Sequence, residues 1–211
     1  MNSSKINRVK EYGEVFTKKE IAKDILNLVN DETYNIESRI LETACGEGVF
    51  LLESLKRKFD INLKRYKKNQ IEFEKNSIII FGSLYGIDIQ EKNVLITREK
   101  MYEFFYHLYF LNFNKKINQK LLKSINFILK MNIINGDALT LKNHKNKNLT
   151  FYEWSFFNNF VKIRLFEFQE LLANQSIDGP NLFSDLGENA FIPKPKKEYD
   201  KVHYLNLYNV K

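Results

Sequence analysis

The stretch from Arg39 to Leu52, Arg-Ile-Leu-Glu-Thr-Ala-Cys-Gly-Glu-Gly-Val-Phe-Leu-Leu, constrains the fold more than any other. It reads as a short buried strand over Arg39 to Glu42, a tight glycine turn, then a helix. In α/β proteins nucleotide-like ligands bind at such a place, beyond the carboxyl end of a strand. Gly46 and Gly48 let a ligand approach the backbone with no Cβ in the way. Glu42, at the strand end, offers a carboxylate and no donor. It would repel the pyrophosphate of a dinucleotide and welcome an ammonium or a sulfonium. The methionine part of S-adenosylmethionine carries both.

Two further strand ends follow the same grammar. Leu84-Tyr85-Gly86-Ile87-Asp88-Ile89 reads as a second strand ending in an acid. A carboxylate there accepts from both ribose hydroxyls. Asp88 also suits a helix N-cap. The usual gap to such an acid is about 20 residues. Here it is longer, so the Lys- and Asn-rich run from Asp60 to Phe81 has to be a helical detour, with Ile78-Ile79-Ile80-Phe81 closing a helix. Asn132-Ile133-Ile134-Asn135-Gly136-Asp137-Ala138-Leu139 is again strand, turn and acid.

Between these strands the apolar spacing is helical: Leu51, Leu52, Leu55 and Phe59, then Val94, Leu95, Met101, Phe105 and Leu108, then Leu121, Leu122, Ile125 and Leu129. Before the first strand, Gly13-Glu14-Val15-Phe16-Thr17 leads into a helix with an apolar face of Ile21, Ile25, Leu28 and Val29. Thr17 and Glu20 form a capping-box pattern, which predicts a helix start at Thr17. Phe16 and Thr17 then sit at a helix N-terminus, where free N–H groups favour an anion.

The segment Glu42-Thr43-Ala44-Cys45-Gly46-Glu47-Gly48-Val49-Phe50-Leu51 resembles motif I of the adenine-N6 DNA methyltransferases, with Thr43 where proline is usual. Gly13-x-x-Phe16-Thr17 is similar to their motif X, with Lys18 in place of a proline. Tyr85-Gly86-x-Asp88 is similar to motif II, and Asp137 to the acid of motif III. The resemblance implies a Rossmann-like class I methyltransferase core, present in part, that binds S-adenosylmethionine. It puts Phe16 and Thr17 at the methionine end and Glu42 on the ammonium. Ala44, Cys45, Gly46 and Gly48 run under the methionine and ribose. Asp88 and Ile89 take the ribose end, and Asp137 with Ala138 the adenine amine.

From Leu149 the character changes. Leu149 to Trp154 and Phe160 to Leu165 flank Asn158-Asn159 and read as a β-hairpin. A short helix near Phe168 to Ala173 follows, then a tail holding Pro180, Pro193 and Pro195, with Val202 to Leu205 as a terminal strand. The expected division is a core over residues 1–148 and a β-rich hairpin and extended tail over 149–211. Trp154, Phe156, Phe157 and Phe160 suit a local core better than a platform for stacking bases.

Composition excludes several classes. Cys45 is the only cysteine and the three histidines lie far apart, so a disulfide framework and a zinc site have no basis within the chain. No signal-peptide pattern opens the sequence, and no run reaches the ~18 apolar residues of a membrane span. The expected compartment is the cytoplasm. The net charge of +7 suits a polyanionic partner, but the basic residues are dispersed over Arg57, Lys64 to Lys68, Lys115 to Lys123, Lys142 to Lys147 and Lys194 to Lys197. A solvated surface accounts for most of them.

One motif of the resembled family is missing. Methyl transfer to adenine N6 uses an Asn/Asp-Pro-Pro-Tyr/Phe segment, whose acceptors hold the target amine while its ring stacks on the flipped base. No Pro-Pro occurs in this chain. The expectation is therefore a cofactor-side subunit from a restriction–modification system in which methylase motifs are divided between proteins. It would be inactive alone, with an Asn-Pro-Pro-Tyr partner that brings catalysis and double-stranded DNA. The alternatives are a non-catalytic module that senses S-adenosylmethionine or docks on other subunits, a degenerate fragment, or a methyltransferase for a small molecule or protein. The region from Leu149 onward is the expected docking surface.

Overall fold

A computed structural model describes residues 17–113, 116–173 and 193–210. The architecture is mixed α/β, with a three-stranded parallel sheet and a separate antiparallel sheet. Helices α1 (Lys19–Asn27) and α2 (Asn30–Tyr34) precede β1 (Ile40–Glu42). Next come α3 (Val49–Tyr66), α4 (Gln70–Gly82), β2 (Leu84–Asp88), α5 (Glu91–Phe113), α6 (Gln119–Asn132) and β3 (Ile133–Asn135). The second sheet holds β4 (Thr150–Phe157), β5 (Phe160–Glu167), β6 (Lys197–Glu198) and β7 (Val202–His203). Helix α7 (Phe168–Ala173) follows β5, and a 3₁₀ segment (Tyr204–Asn209) follows β7.

The parallel sheet runs in the order β1-β2-β3, with Glu42 beside Gly86 and Asp88 beside Asn135. All three carboxyl ends therefore open on one side. Strand β2 is buried along its whole length, as expected of the centre of a parallel sheet. Gly86 is needed for packing. A Cβ there would stand 2.8 Å from Leu51 Cδ1 and 3.2 Å from Cys45 Sγ. Its absence lets α3 lie close on the sheet.

The detour between β1 and β2 is helical, as expected. Helix α3 has 18 residues and runs well beyond the three-residue strand before it. Asn69 then caps α4 by accepting from Glu72 N at 3.2 Å, and the chain returns to β2 with Ile78, Ile80 and Phe81 buried. The aromatic load is mostly core. Phe59, Phe73, Phe81, Phe105 and Tyr109 form one buried ring cluster between α3, α4 and α5.

The hairpin β4–β5 turns at Asn158-Asn159 and covers the other face of the sheet. Phe151 and Phe168 meet Tyr85 and Ile87 there. Tyr85 donates to the Tyr152 carbonyl at 2.9 Å, and Trp154 Nε1 donates to Asn132 Oδ1 at 3.0 Å. Trp154 is thus engaged in local packing. The terminal strand is shorter than expected. Only Val202 and His203 pair with β5, and the chain then coils so that Tyr204 and Leu207 enter the main core.

The first helix departs from expectation twice. Lys18, not Thr17, is its N-cap, and no side chain caps it. With Lys18 at that position Glu20 falls one place short of the capping-box register, so Thr17 lies outside the helix. The buried face is Ala22 and Leu26, while Ile21, Ile25, Leu28 and Val29 are exposed. Packing decides this phase. Arg57, buried on α3, donates to Lys23 O, Asn27 Oδ1, Asn30 Oδ1 and Thr33 Oγ1, and so fixes how α1 and α2 lie against α3. Among the described residues no helix is long and apolar enough to cross a membrane.

Candidate functional site

The turn over residues 44–48 leaves β1 at its carboxyl end and is held from three sides. Cys45 N donates to Ile87 O at 2.9 Å, which stitches the turn to β2. Gly46 N donates to Asp88 Oδ2 at 2.8 Å. From α5, Thr97 Oγ1 donates to Gly46 O at 3.0 Å, and Lys100 Nζ reaches Glu47 O and Glu47 Oε2 at 3.2 and 2.9 Å.

The two glycines serve different needs. Both have positive φ, +51° at Gly46 and +79° at Gly48, where a side chain is strained. Among the described residues a Cβ on Gly46 would meet nothing within 4 Å. A Cβ on Gly48 would stand 2.6 Å from Thr97 Cγ2. Gly46 leaves room for a ligand, whereas Gly48 lets α5 close on the turn.

Asp88 is buried and organises the site. Besides Gly46 N, its carboxylate accepts from Gln90 N at 2.8 Å and Asn93 Nδ2 at 3.2 Å. It therefore both fixes the chain as it enters α5, through Gln90 N and the Asn93 side chain, and holds the glycine turn. The Gly46 N–H, the donor that a dinucleotide phosphate would use, is taken by a carboxylate. Glu42 lies half-buried at the end of β1. Burial raises its pKa, and the Ala44 N–H opposes that rise. The turn is thus lined by two carboxylates, an electrostatic setting for a cation rather than a phosphate.

Cys45 is buried beneath the turn. Burial, reinforced by the Asp88 and Glu42 carboxylates, pushes its thiol up to about 12. At neutral pH it is a protonated, inert thiol and no nucleophile. Among the described residues no group of three His, Cys, Asp or Glu is placed to hold a metal.

Two clefts open on this region, and only the first touches the turn, at Glu47. One, about 290 Å³, touches Lys19, Glu47, Val49, Leu52 and Lys100. The other, about 560 Å³, lies between the ends of β2 and β3 and touches Ile89, Asn135, Gly136, Asp137 and Thr140. Ile89 is 65% exposed, an apolar side chain standing free at the rim. Asp137 accepts from Leu139 N at 2.8 Å and Thr140 Oγ1 at 2.9 Å, and these bonds hold its carboxyl below the usual range. Its neighbour Ala138 packs with the hairpin cluster instead.

The expected site residues thus separate into groups. Glu42, Cys45, Gly46, Gly48 and Asp88 meet around one turn, with Ala44 exposed above it. Ile89 and Asp137 border the adjoining cleft. Thr17 precedes the first helix, and Phe16 lies outside the described residues. Sequence reasoning missed Asn93, Thr97 and Lys100. They recur at helical spacing on one face of α5, directly after Asp88, which is the signal that they belong together. It also missed Asn135, whose Nδ2 bonds Asp88 O and Ile89 O at 3.0 and 2.9 Å.

Comparison with protein-family models, with curated proteins and with solved structures gives no match. The functional reading therefore stands on this geometry and on the motifs in the chain.

Proposed function

We propose that this chain is the S-adenosylmethionine-binding subunit of an adenine-N6 DNA methyltransferase in a restriction–modification system, completed by a partner carrying Asn-Pro-Pro-Tyr. The observation that carries this reading is the glycine turn at the end of β1, open above Gly46 and lined by Glu42 and Asp88. A sulfonium and an ammonium suit that lining, and a pyrophosphate does not. The cleft beside Ile89 and Asp137 has the size and rim for an adenine.

The sheet supports a divided enzyme. Strands in the order β1-β2-β3 match one half of a doubly wound Rossmann-like sheet, in which the second half begins beside the first strand. Among the described residues the outer edge of β1 has no strand beside it. Ile40 N bonds Ser83 O, so in the alternation of a parallel ladder Leu41 turns its N–H and C=O away from β2. The opposite edge is closed, because Arg98 donates to Ile133 O from outside β3. An extended segment of the partner fits on β1, which would bring its Asn-Pro-Pro-Tyr beside the turn.

Calorimetry with S-adenosylmethionine tests the binding step. Wild type should bind, and Asp88→Ala should lose about 1–3 kcal/mol through its charge-assisted hydrogen bonds. Gly46→Val should abolish binding while circular dichroism reports a folded chain. Equal affinity for wild type and Asp88→Ala would remove Asp88 from the site. No binding by wild type would overturn the reading.

A further inference from the structure

A third, larger cleft lies far from the glycine turn. It has a volume of about 1140 Å³ and opens between the far end of α3, the α5–α6 corner and the C-terminal segment. Helix α3 starts at the glycine turn and has 18 residues, so its far end lies roughly 27 Å away. Lys67 and Lys68 line the cleft from that end, Lys116 from the α5–α6 corner, and His203 from β7. The three lysines are exposed, and none pairs with a carboxylate among the described residues. In the sequence these are two separate lysine-rich runs. The fold brings them to one place.

The rest of the lining narrows what the cleft takes. Its one carboxylate, Glu74, is buried and already receives four donors. Gln70 Nε2 reaches it at 2.8 Å, Asn118 Nδ2 at 3.2 Å and Tyr204 OH at 3.4 Å, and Tyr109 OH also donates to it. It has no capacity left for a cationic ligand. Asn69, Asn112 and Asn159 add neutral amides at the wall. The aromatic rings are occupied. Phe113 packs on Phe73 and Tyr109, and Tyr204 stacks on His203. Among the described residues these rings already pack on other rings.

We propose that this cleft grips the sugar–phosphate backbone of a nucleic acid without reading its sequence. Ammonium groups and amides supply phosphate contacts, which position a nucleic acid but carry no base information. Lys67 and Lys68 on their own would be explained as cations that complement the C-terminal end of α3. That explanation does not account for Lys116 and His203 converging on them from other segments. The proposal is independent of methyl transfer and of cofactor binding.

The test is fluorescence anisotropy of the full chain with a labelled random-sequence duplex of about 20 base pairs, and with its single strand, over a salt series. The combined variant Lys67→Glu, Lys68→Glu, Lys116→Glu is compared with Lys123→Glu, Lys130→Glu, Lys194→Glu, which changes the net charge equally elsewhere. The cleft variant should lose at least about tenfold in affinity, and its salt slope should fall by roughly 2–3. The control should lose much less. Circular dichroism and S-adenosylmethionine calorimetry should be unchanged in both, which separates this test from the cofactor reading. The tighter of the two probes identifies the form held. Equal losses in the two variants, tighter binding to anionic phospholipid vesicles than to either nucleic acid, or no binding by wild type would overturn the proposal.

Discussion

Lys58 shows how much one buried residue can set. Its side chain is fully buried on α3, with Nζ bonded to Ser38 O and at 2.9 Å to Ser83 Oγ, and with Ile36 O at 3.5 Å. All three partners are neutral. Burial pulls its pKa from the ordinary 10.5 down to about 8, against a smaller opposing pull from Glu32. The folded pKa is the lower one, so the stability linked to this group is complete above 10.5 and is lost as pH falls through 8. Urea unfolding should show wild type gaining about 2 kcal/mol from pH 8 to pH 10 relative to Lys58→Met. Parallel pH profiles for the two proteins would show that Lys58 is not held this way. No charge pattern in the sequence marks Lys58 among its many lysines. Asp88, by contrast, is legible, because an acid ending a strand before a helix has few other uses.

Among elements, α3 and β2 approach closely at Gly86. Gly86→Ala should destabilise by roughly 1–3 kcal/mol, since its Cβ would overlap Leu51 Cδ1 on packed neighbours. In the Leu51→Ala background the same change should cost less, because the nearest obstructing atom is gone and only Cys45, at 3.2 Å, remains. A double-mutant cycle on urea midpoints measures that coupling, and strict additivity would contradict the packing account. The same logic explains the phase of the first helix. Its sequence carries two usable apolar faces, and the one with the small Ala22 is selected because it allows contact with α3. Periodicity identifies a helix, whereas the neighbour determines which side is buried.

At the scale of the molecule, the glycine turn, Asp88 and Asp137 lie beyond the carboxyl ends of one sheet, and the sequence has no Pro-Pro segment, which in the proposed enzyme would orient the target amine. Much of the rate of methyl transfer comes from that orientation. The purified chain should therefore transfer no labelled methyl to genomic DNA, and the mixture with an Asn-Pro-Pro-Tyr partner should. Leu41→Pro removes the outward N–H of β1 and should weaken the mixture while leaving cofactor affinity intact. Transfer by the chain alone would mean that another amine-holding site exists in it. An inactive mixture with cofactor binding intact would favour the sensing module.

Local chemistry is readable in the amino-acid sequence by itself. Turns, strand ends and helical spacing are short-range, so Gly46, Gly48, Asp88, the helical detour and the Asn158-Asn159 hairpin are all visible in the order of the residues alone. Tertiary structure decided what depends on distant segments meeting. It assigned the Gly46 N–H to Asp88 and drew Thr97 and Lys100 onto the turn. Among the described residues it left β1 with one neighbour, and it joined two lysine runs in one cleft. The physical reason is that a sequence window samples contacts along the chain. These features come from packing α3, α5 and the hairpin around a sheet whose strands lie about 45 residues apart in sequence.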